Sequence, residues 1–311
     1  MTDNELLSPN SQLKTQNFLS HGLLNIAKPA GISSRYVVTQ LEFALRPLPV
    51  GHAGTLDPMA TGVLVIGVGR GTKLVDYLHR FPKTYDATFL LGHQSDTEDI
   101  TGDVEFVPDA KQPTRAELEN ALPKFLGEIL QQPPAFSALK VDGKRAYKLA
   151  RKGKTVELQP RPIIVHRLAI KRYEYPELQL EIECGSGTYV RSLGRDLARS
   201  VGTEAVMSAL RRTSIGPFHL QDAKVPEDIN AENLASSLQP SLLAVADLNR
   251  VELTTDQVDQ LRATGVVFDL PIAVERVASD AELAAIAPDG RLFAVLTPSK
   301  GDRWKVKTLL G

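Results

Sequence analysis

The 311-residue chain has a single cysteine, Cys184. No intrachain disulfide can form, and no cysteine-based zinc site can be built. The chain also lacks any apolar run close to the eighteen or so residues that a membrane-spanning helix needs. Its opening, MTDNELLSPNSQLKTQNF, has neither the basic start nor the apolar stretch of a secretory signal, so a cytoplasmic protein is expected. Net charge is nearly absent, at -1, which taken alone argues against a polyanionic partner. The charges are nonetheless segregated. Residues 136–172 hold eleven Lys and Arg against two acids, Asp142 and Glu157, whereas residues 222–290 hold thirteen acids against four bases. Counterion release depends on a local basic patch and not on the global sum, so an anion-facing surface stays open beside the plainer reading of a solvated basic face.

Hydrophobic residues at 42% and charged residues at 23% are ordinary for a globular protein, and the length suits two domains. Residues 1–20 read as a disordered extension. The apolar run 21–26 closes on Lys28-Pro29-Ala30-Gly31, a strand and a turn, after which Ser33 or Ser34 can cap a helix through Leu45. The run 63–68 is almost wholly aliphatic and suits a strand buried on both faces. A short helix over 72–79 and a strand over 83–91 should follow. Leu178, Leu180, Ile182 and Cys184 alternate with polar residues, the pattern of a strand with one buried face. Val190, Leu193, Leu197 and Val201 recur at helical spacing, with Gly202 placed to end the helix. Strands and helices at irregular spacing favour an α+β fold with a mixed sheet. The proline-bearing acidic stretch 217–240 reads as a linker, and the remainder as a small β-rich module.

Chemistry concentrates in Gly51-His52-Ala53-Gly54-Thr55-Leu56-Asp57-Pro58-Met59-Ala60-Thr61-Gly62. Glycines allow close backbone approach to a ligand, and Pro58 biases Asp57 towards an extended conformation on a loop backed by the buried strand. An isolated Asp-Pro pair is usually only a turn former. The segment Gly67-Val68-Gly69-Arg70-Gly71-Thr72-Lys73 fits neither a dinucleotide fingerprint nor a P-loop. Asp96, Glu98, Asp99 and Asp103 do not have the spacing of an EF-hand. A carboxylate-dependent glycosidase would need a second catalytic acid, which is not evident near Asp57. A non-catalytic RNA-binding or RNA-folding module is the other alternative.

The string GHAGTLDPMATGVL, followed by GRGTK at 69–73, resembles the signature of the TruB family of tRNA pseudouridine synthases. KPAGISS at 28–34, KTYDA at 83–87, SDTED at 95–99, PPAFSALKVDGKRAYKLARKG at 133–153 and GTYVRSLGRDL at 187–197 agree in order and spacing, so the resemblance spans about 21–215. Family members commonly carry Asp before the Lys-Pro pair, where this chain has Ala27. The resemblance implies a mainly antiparallel mixed sheet over 21–245, a basic RNA-gripping insertion at 131–165 and a PUA-like RNA-binding domain at 246–311. It implies isomerisation of uridine 55 in the T loop of tRNA by a cytoplasmic monomer, with no cofactor, no metal, no membrane and no obligate protein partner. Asp57 matches the family nucleophile. Tyr85 would stack on the uracil, Arg191 pair with Asp57, and Asp99 join the same charged group. His52, Lys73, Tyr189 and Leu210 would complete the substrate site, and Lys140, Lys144, Arg145, Lys148, Arg151 and Lys152 would hold RNA. The chemistry agrees: moving a base from nitrogen to carbon linkage needs an anionic nucleophile and exclusion of water, and Arg stays charged even when buried.

Overall fold

An aliphatic strand with two buried faces needs neighbours on both sides, and the computed structural model supplies them. It describes residues 21–137, 139–141, 143–146, 149, 158–272 and 278–311; the expected disordered extension, 1–20, lies outside these. Nine strands form the first sheet: Gly22–Lys28 (β1), Val50–Ala53 (β2), Thr61–Val68 (β3), Lys83–Leu91 (β4), Gly127–Gln131 (β5), Arg161–Glu174 (β6), Glu177–Cys184 (β7), Ala205–Ile215 (β8) and Phe218–His219 (β9). Their order is β1-β3-β8-β4-β7-β6-β5, with β2 on β3 and β9 on β8. Only the β3/β8 pair is parallel, so the sheet is mixed and mainly antiparallel, as expected. Gly62 permits that pairing: it sits at φ 107, and a Cβ there would lie 2.1 Å from the Arg212 carbonyl oxygen.

Helices cover the sheet where their apolar stripes fall. Ser34–Ala44 (α1) begins at Ser33, whose hydroxyl accepts from Tyr36 N at 3.1 Å, and buries Val37, Val38 and Leu41 against Leu24, Ile26, Leu64 and Ile66. Arg115–Ala121 (α2) opens with a capping box between Thr114 and Glu117. Val190–Ser200 (α3) packs Leu193 and Leu197 on Phe89, Leu180 and Ile182. Each such buried leucine contributes about 1.5–3 kcal/mol. Gly194 brings α3 close to the sheet, since a Cβ there would stand 1.9 Å from the Phe89 ring.

The stretch 217–240 is not a linker. It folds back on β1, where Ala27 N donates to Lys224 O at 2.8 Å and Gln239 N to Leu23 O at 2.7 Å, while Ile229 and Leu234 join the α1 core. The exposed backbone edge of β1 is the reason, because an edge strand has unpaired polar groups that a returning segment can satisfy.

A second, five-stranded sheet contains Asn249–Glu252 (β10), Val266–Phe268 (β11), Leu283–Ile286 (β12), Leu292–Pro298 (β13) and Arg303–Leu309 (β14), ordered β10-β12-β13-β14-β11. Thr255–Thr264 (α4) ends at Gly265 with φ 70, and Trp304 anchors the local core. This small β-rich, PUA-like module shares an apolar cluster with the first sheet, in which Val63 and Tyr77 meet Leu292, Val295 and Leu310. Glu282 stands at the seam, paired with Arg80 and, at 2.6 Å, with Lys307.

Candidate active site

Asp57 lies in the loop between β2 and β3, and the backbone on both sides of it is pinned. Ser34 Oγ, in the first turn of α1, donates to Leu56 O at 3.0 Å and accepts from Leu56 N at 2.8 Å. Gly31 N donates to Pro58 O at 2.8 Å. Lys28, 1% exposed, donates from Nζ to Ala60 O at 2.6 Å, Pro29 O at 2.7 Å and Pro58 O at 3.3 Å. Burial lowers its pKa to about 8, against the opposing pull of Asp57. Arg212, from β8, donates Nε to Val63 O at 2.7 Å and Nη2 to Gly54 O at 3.1 Å. The loop is therefore held by neighbours on three elements, while the Asp57 side chain stays 43% exposed.

Arg191 enters from the first turn of α3. Its Nε stands 3.4 Å from Asp57 Oδ2, and its Nη1 contacts Asp99 Oδ2 at 3.1 Å and Thr97 O at 2.6 Å. Its Nη2 donates to Phe136 O at 3.2 Å. Asp99 is buried, and its Oδ1 accepts from Thr97 Oγ1 and Thr101 N, both at 2.9 Å. The turn at 97–99 thus fixes the guanidinium and leaves its Nε edge for Asp57. Start of α3 and root of the basic insertion are also joined: Tyr189 N donates to Gln131 Oε1 at 2.8 Å, and Gln131 Nε2 donates to Tyr189 O at 3.0 Å.

Asp57, Arg191, Tyr85, Tyr189 and Leu210 line one cavity of about 490 Å³. Tyr85 projects from β4, where its register partners are Ile182 on β7 and Arg212 on β8. Burial pushes its hydroxyl pKa up, and Arg212 opposes the shift. Leu210, 8% exposed, supplies an apolar wall. A cavity lined by an aromatic residue, a leucine and a loosely paired carboxylate can take a base and present an anionic oxygen to it.

Three expected residues do not line that cavity: Asp99 reaches it only through Arg191 and lines a neighbouring cavity with Asp57, and His52 and Lys73 lie elsewhere. His52 sits on β2 opposite Ile66; burial and then Arg212 lower its pKa, and its buried Nδ1 has no partner among the described residues. Lys73 is exposed and donates to Leu309 O at 3.1 Å, which places it on the seam with the C-terminal module. In the basic insertion, Lys140–Val141 and Lys144–Arg145 form a two-stranded ladder. The side chains of Lys140, Lys144 and Arg145, and the residues Lys148, Arg151 and Lys152 entirely, lie outside the described residues. Sequence reasoning gave no site role to Ser34, which it read only as a possible helix cap, to Lys28, which it placed only at a turn, or to Arg212 and Gln131.

Comparison with known proteins gives the family of the chain. The family model described as TruB family pseudouridylate synthase (N terminal domain) matches residues 44–190. A Dehalococcoides mccartyi protein named tRNA pseudouridine synthase B is 38% identical over 288 residues, covering 91% of this chain and 94% of its own length. A Mycobacterium tuberculosis protein of the same name is 41% identical over 279 residues, covering 88% of this chain and 91% of its own. A chain from the crystal structure of a Cbf5-Nop10-Gar1 complex superposes with a TM-score of 0.74 at 22% identity, spanning 100% of this chain and 91% of that one. At that identity the likeness concerns the fold alone. The similarity to the first two proteins runs through the Asp57 loop, β4 and α3, and with it the chain belongs to the TruB family of pseudouridylate synthases.

Proposed function

We propose that this enzyme converts uridine 55 in the T loop of tRNA to pseudouridine, with Asp57 as the nucleophile. The observation that carries the reading is the state of the Asp57 carboxylate: its backbone is immobilised, its oxygen stands 3.4 Å from Arg191, and it opens into the cavity that holds Tyr85. The names of the relatives support tRNA as the substrate.

The reaction breaks the bond between N1 and the ribose carbon and makes one from C5 to that same carbon, while C5 gives up its proton and N1 takes one up. Atoms and oxidation state balance without a co-reactant, so the protein's task is to hold the pieces and keep water out. Attack at the ribose and attack on the ring would use the same carboxylate oxygen. Arg191 offers its charge as the carboxylate reacts, and its contacts to Asp99 and Thr97 keep it from following substrate motion. Extruding the uridine from its stack costs about a few kcal/mol, part of which stacking on Tyr85 returns. The basic insertion would grip the phosphate backbone, and the C-terminal module would extend the RNA contact. The enzyme would work as a cytoplasmic monomer.

Incubating purified protein with unmodified tRNA transcript and mapping pseudouridine by chemical derivatisation tests the reading. Product confined to position 55 is expected. A transcript left unmodified, or an Asp57→Asn protein that still forms product, would overturn it.

A further inference from the structure

Two of the cavity's lining residues, Lys83 and Arg212, are cationic and have no part in the chemistry above. Lys83, 5% exposed, donates from Nζ to His79 O at 2.8 Å and to Ser186 Oγ at 2.6 Å. Arg212, 2% exposed, donates to the carbonyls of Val63 and Gly54. Neither has an ion-pair partner among the described residues. Each nevertheless lines the cavity. Burial lowers the Lys83 pKa to about 8, and the nearby Arg212 adds to the shift.

Two cations withdrawn from water without an anion cost several kcal/mol each unless something compensates them. A neutral residue could staple residues 79 and 186 together without that penalty. The same wall includes residues 185–188, the Gly-Ser-Gly-Thr loop that leads into α3. No side chain caps the eleven-residue α3, whose N-cap is Tyr189. The first N–H groups of a helix have no intrahelical acceptor, and they carry the positive end of its dipole. Two buried cations with neutral acceptors but no carboxylate partner among the described residues, and a helix start without a side-chain cap, therefore converge on one cavity.

We propose that Lys83, Arg212 and the 185–188 loop bind the backbone phosphate flanking the uridine that enters the cavity. The assignment rests on the proposed RNA substrate and adds a phosphate subsite to it. Spacing favours a phosphate: Lys83 and Tyr85 sit two residues apart on the same face of β4, about 6–7 Å, comparable with the reach from a base to its own phosphate. A phosphodiester is permanently ionised and offers several acceptor oxygens, which suits an ammonium, a guanidinium and backbone N–H groups at once.

The test uses the full chain and T-arm RNA in which each phosphodiester beside the target uridine is replaced singly by a neutral methylphosphonate. One of the two replacements should lower wild-type kcat/KM about tenfold. Lys83→Met should lose a similar factor on unmodified RNA and be insensitive to that same replacement. Lys83→Gln, which keeps a donor near His79 O and Ser186 Oγ, replaces it in the cycle if Lys83→Met does not fold. The subsite is disproved if neither replacement affects the wild type, a result that needs no variant. It is equally disproved if the losses from variant and replacement multiply, because Lys83 would then be a staple only. Product from wild type on unmodified RNA is the control, and its absence would instead sink the proposed function.

Discussion

Arg191 and Arg195 lie one turn apart on α3, are 7% and 9% exposed, and both take acceptors from residues 97–99. They are finished differently. Arg195 pairs with Glu98 and with Asp196 at 2.7 Å, and Ser192 Oγ donates to the second Glu98 oxygen at 2.6 Å. Glu98 is itself held at φ 62, an arrangement that only the surrounding contacts make tolerable. Glu98, Ser192 and Arg195 are buried, and only Asp196, at the rim of the group, is partly exposed. Arg191 is saturated towards Asp99, Thr97 and Phe136, yet its remaining edge meets a carboxylate that is 43% exposed. Equal burial thus conceals unequal jobs: one ion pair is closed on itself, and the other keeps one partner open to a ligand.

The largest effect should come from the open partner. Asp57→Asn is expected to reduce pseudouridine formation by ~10⁴ or more while leaving RNA affinity in filter binding and the urea midpoint near wild type. A large loss of stability would show that Asp57 belongs to the closed class. Arg195→Met should behave in the opposite way, lowering the unfolding free energy by about 3–5 kcal/mol because it leaves Glu98 buried and unpaired.

That loss should depend on pH. Burial raises the Glu98 pKa above its ordinary 4.5, with Arg195 opposing. Without Arg195 the folded-state value climbs further, so the native protein binds the proton more tightly than the unfolded chain. The deficit is then full above the folded-state pKa and shrinks as pH falls through it. Urea unfolding at pH 8 and at pH 5.5 measures this directly, and an equal deficit at both would assign the loss to packing alone. Arg191→Lys tests the open pair at smaller amplitude. Lysine keeps the charge but cannot reach Asp99, Thr97, Phe136 and Asp57 together, so kcat should drop ~100-fold with a stability change of about 1–2 kcal/mol.

How much of this was readable depended on how local the signal was. The Asp57 loop, β4, β7 and α3 announce themselves through glycine punctuation and periods of two or 3.6 within a few residues. Strand β8 does not. Its sequence AVMSALRRTSI holds several helix formers, and its register slips between Met207 and Ala209 and again between Arg212 and Ser214, which breaks the alternation. Its strand character comes from pairing with β4, more than a hundred residues earlier in the chain. Lys28, Arg212 and Gln131 were invisible for a related reason: they bind backbone groups of Ala60, Val63 and Tyr189, and any residue type supplies a backbone group. Lys73 shows the converse. The family resemblance placed it in the substrate site, but its contact with Leu309 arises from the docking of the C-terminal module, which no local motif encodes.

The smallest perturbation separates the two ion pairs most sharply. Ser192→Ala removes one oxygen and the 2.6 Å hydrogen bond to Glu98, but keeps Arg195, Arg191 and the α3 backbone. Loss of a buried bond to a charged group should cost about 1.5–3 kcal/mol, read in urea unfolding. The hydroxyl also favours the ionised carboxylate, so its removal raises the Glu98 pKa, and the deficit should again shrink on acidification. Activity per folded molecule should stay within about twofold of wild type, because the bond lies within the closed group. A fall in kcat matching that of Arg191→Lys would mean that the two arginines act as a single network through the 97–99 turn, and that the inward pair tunes the one facing the cavity.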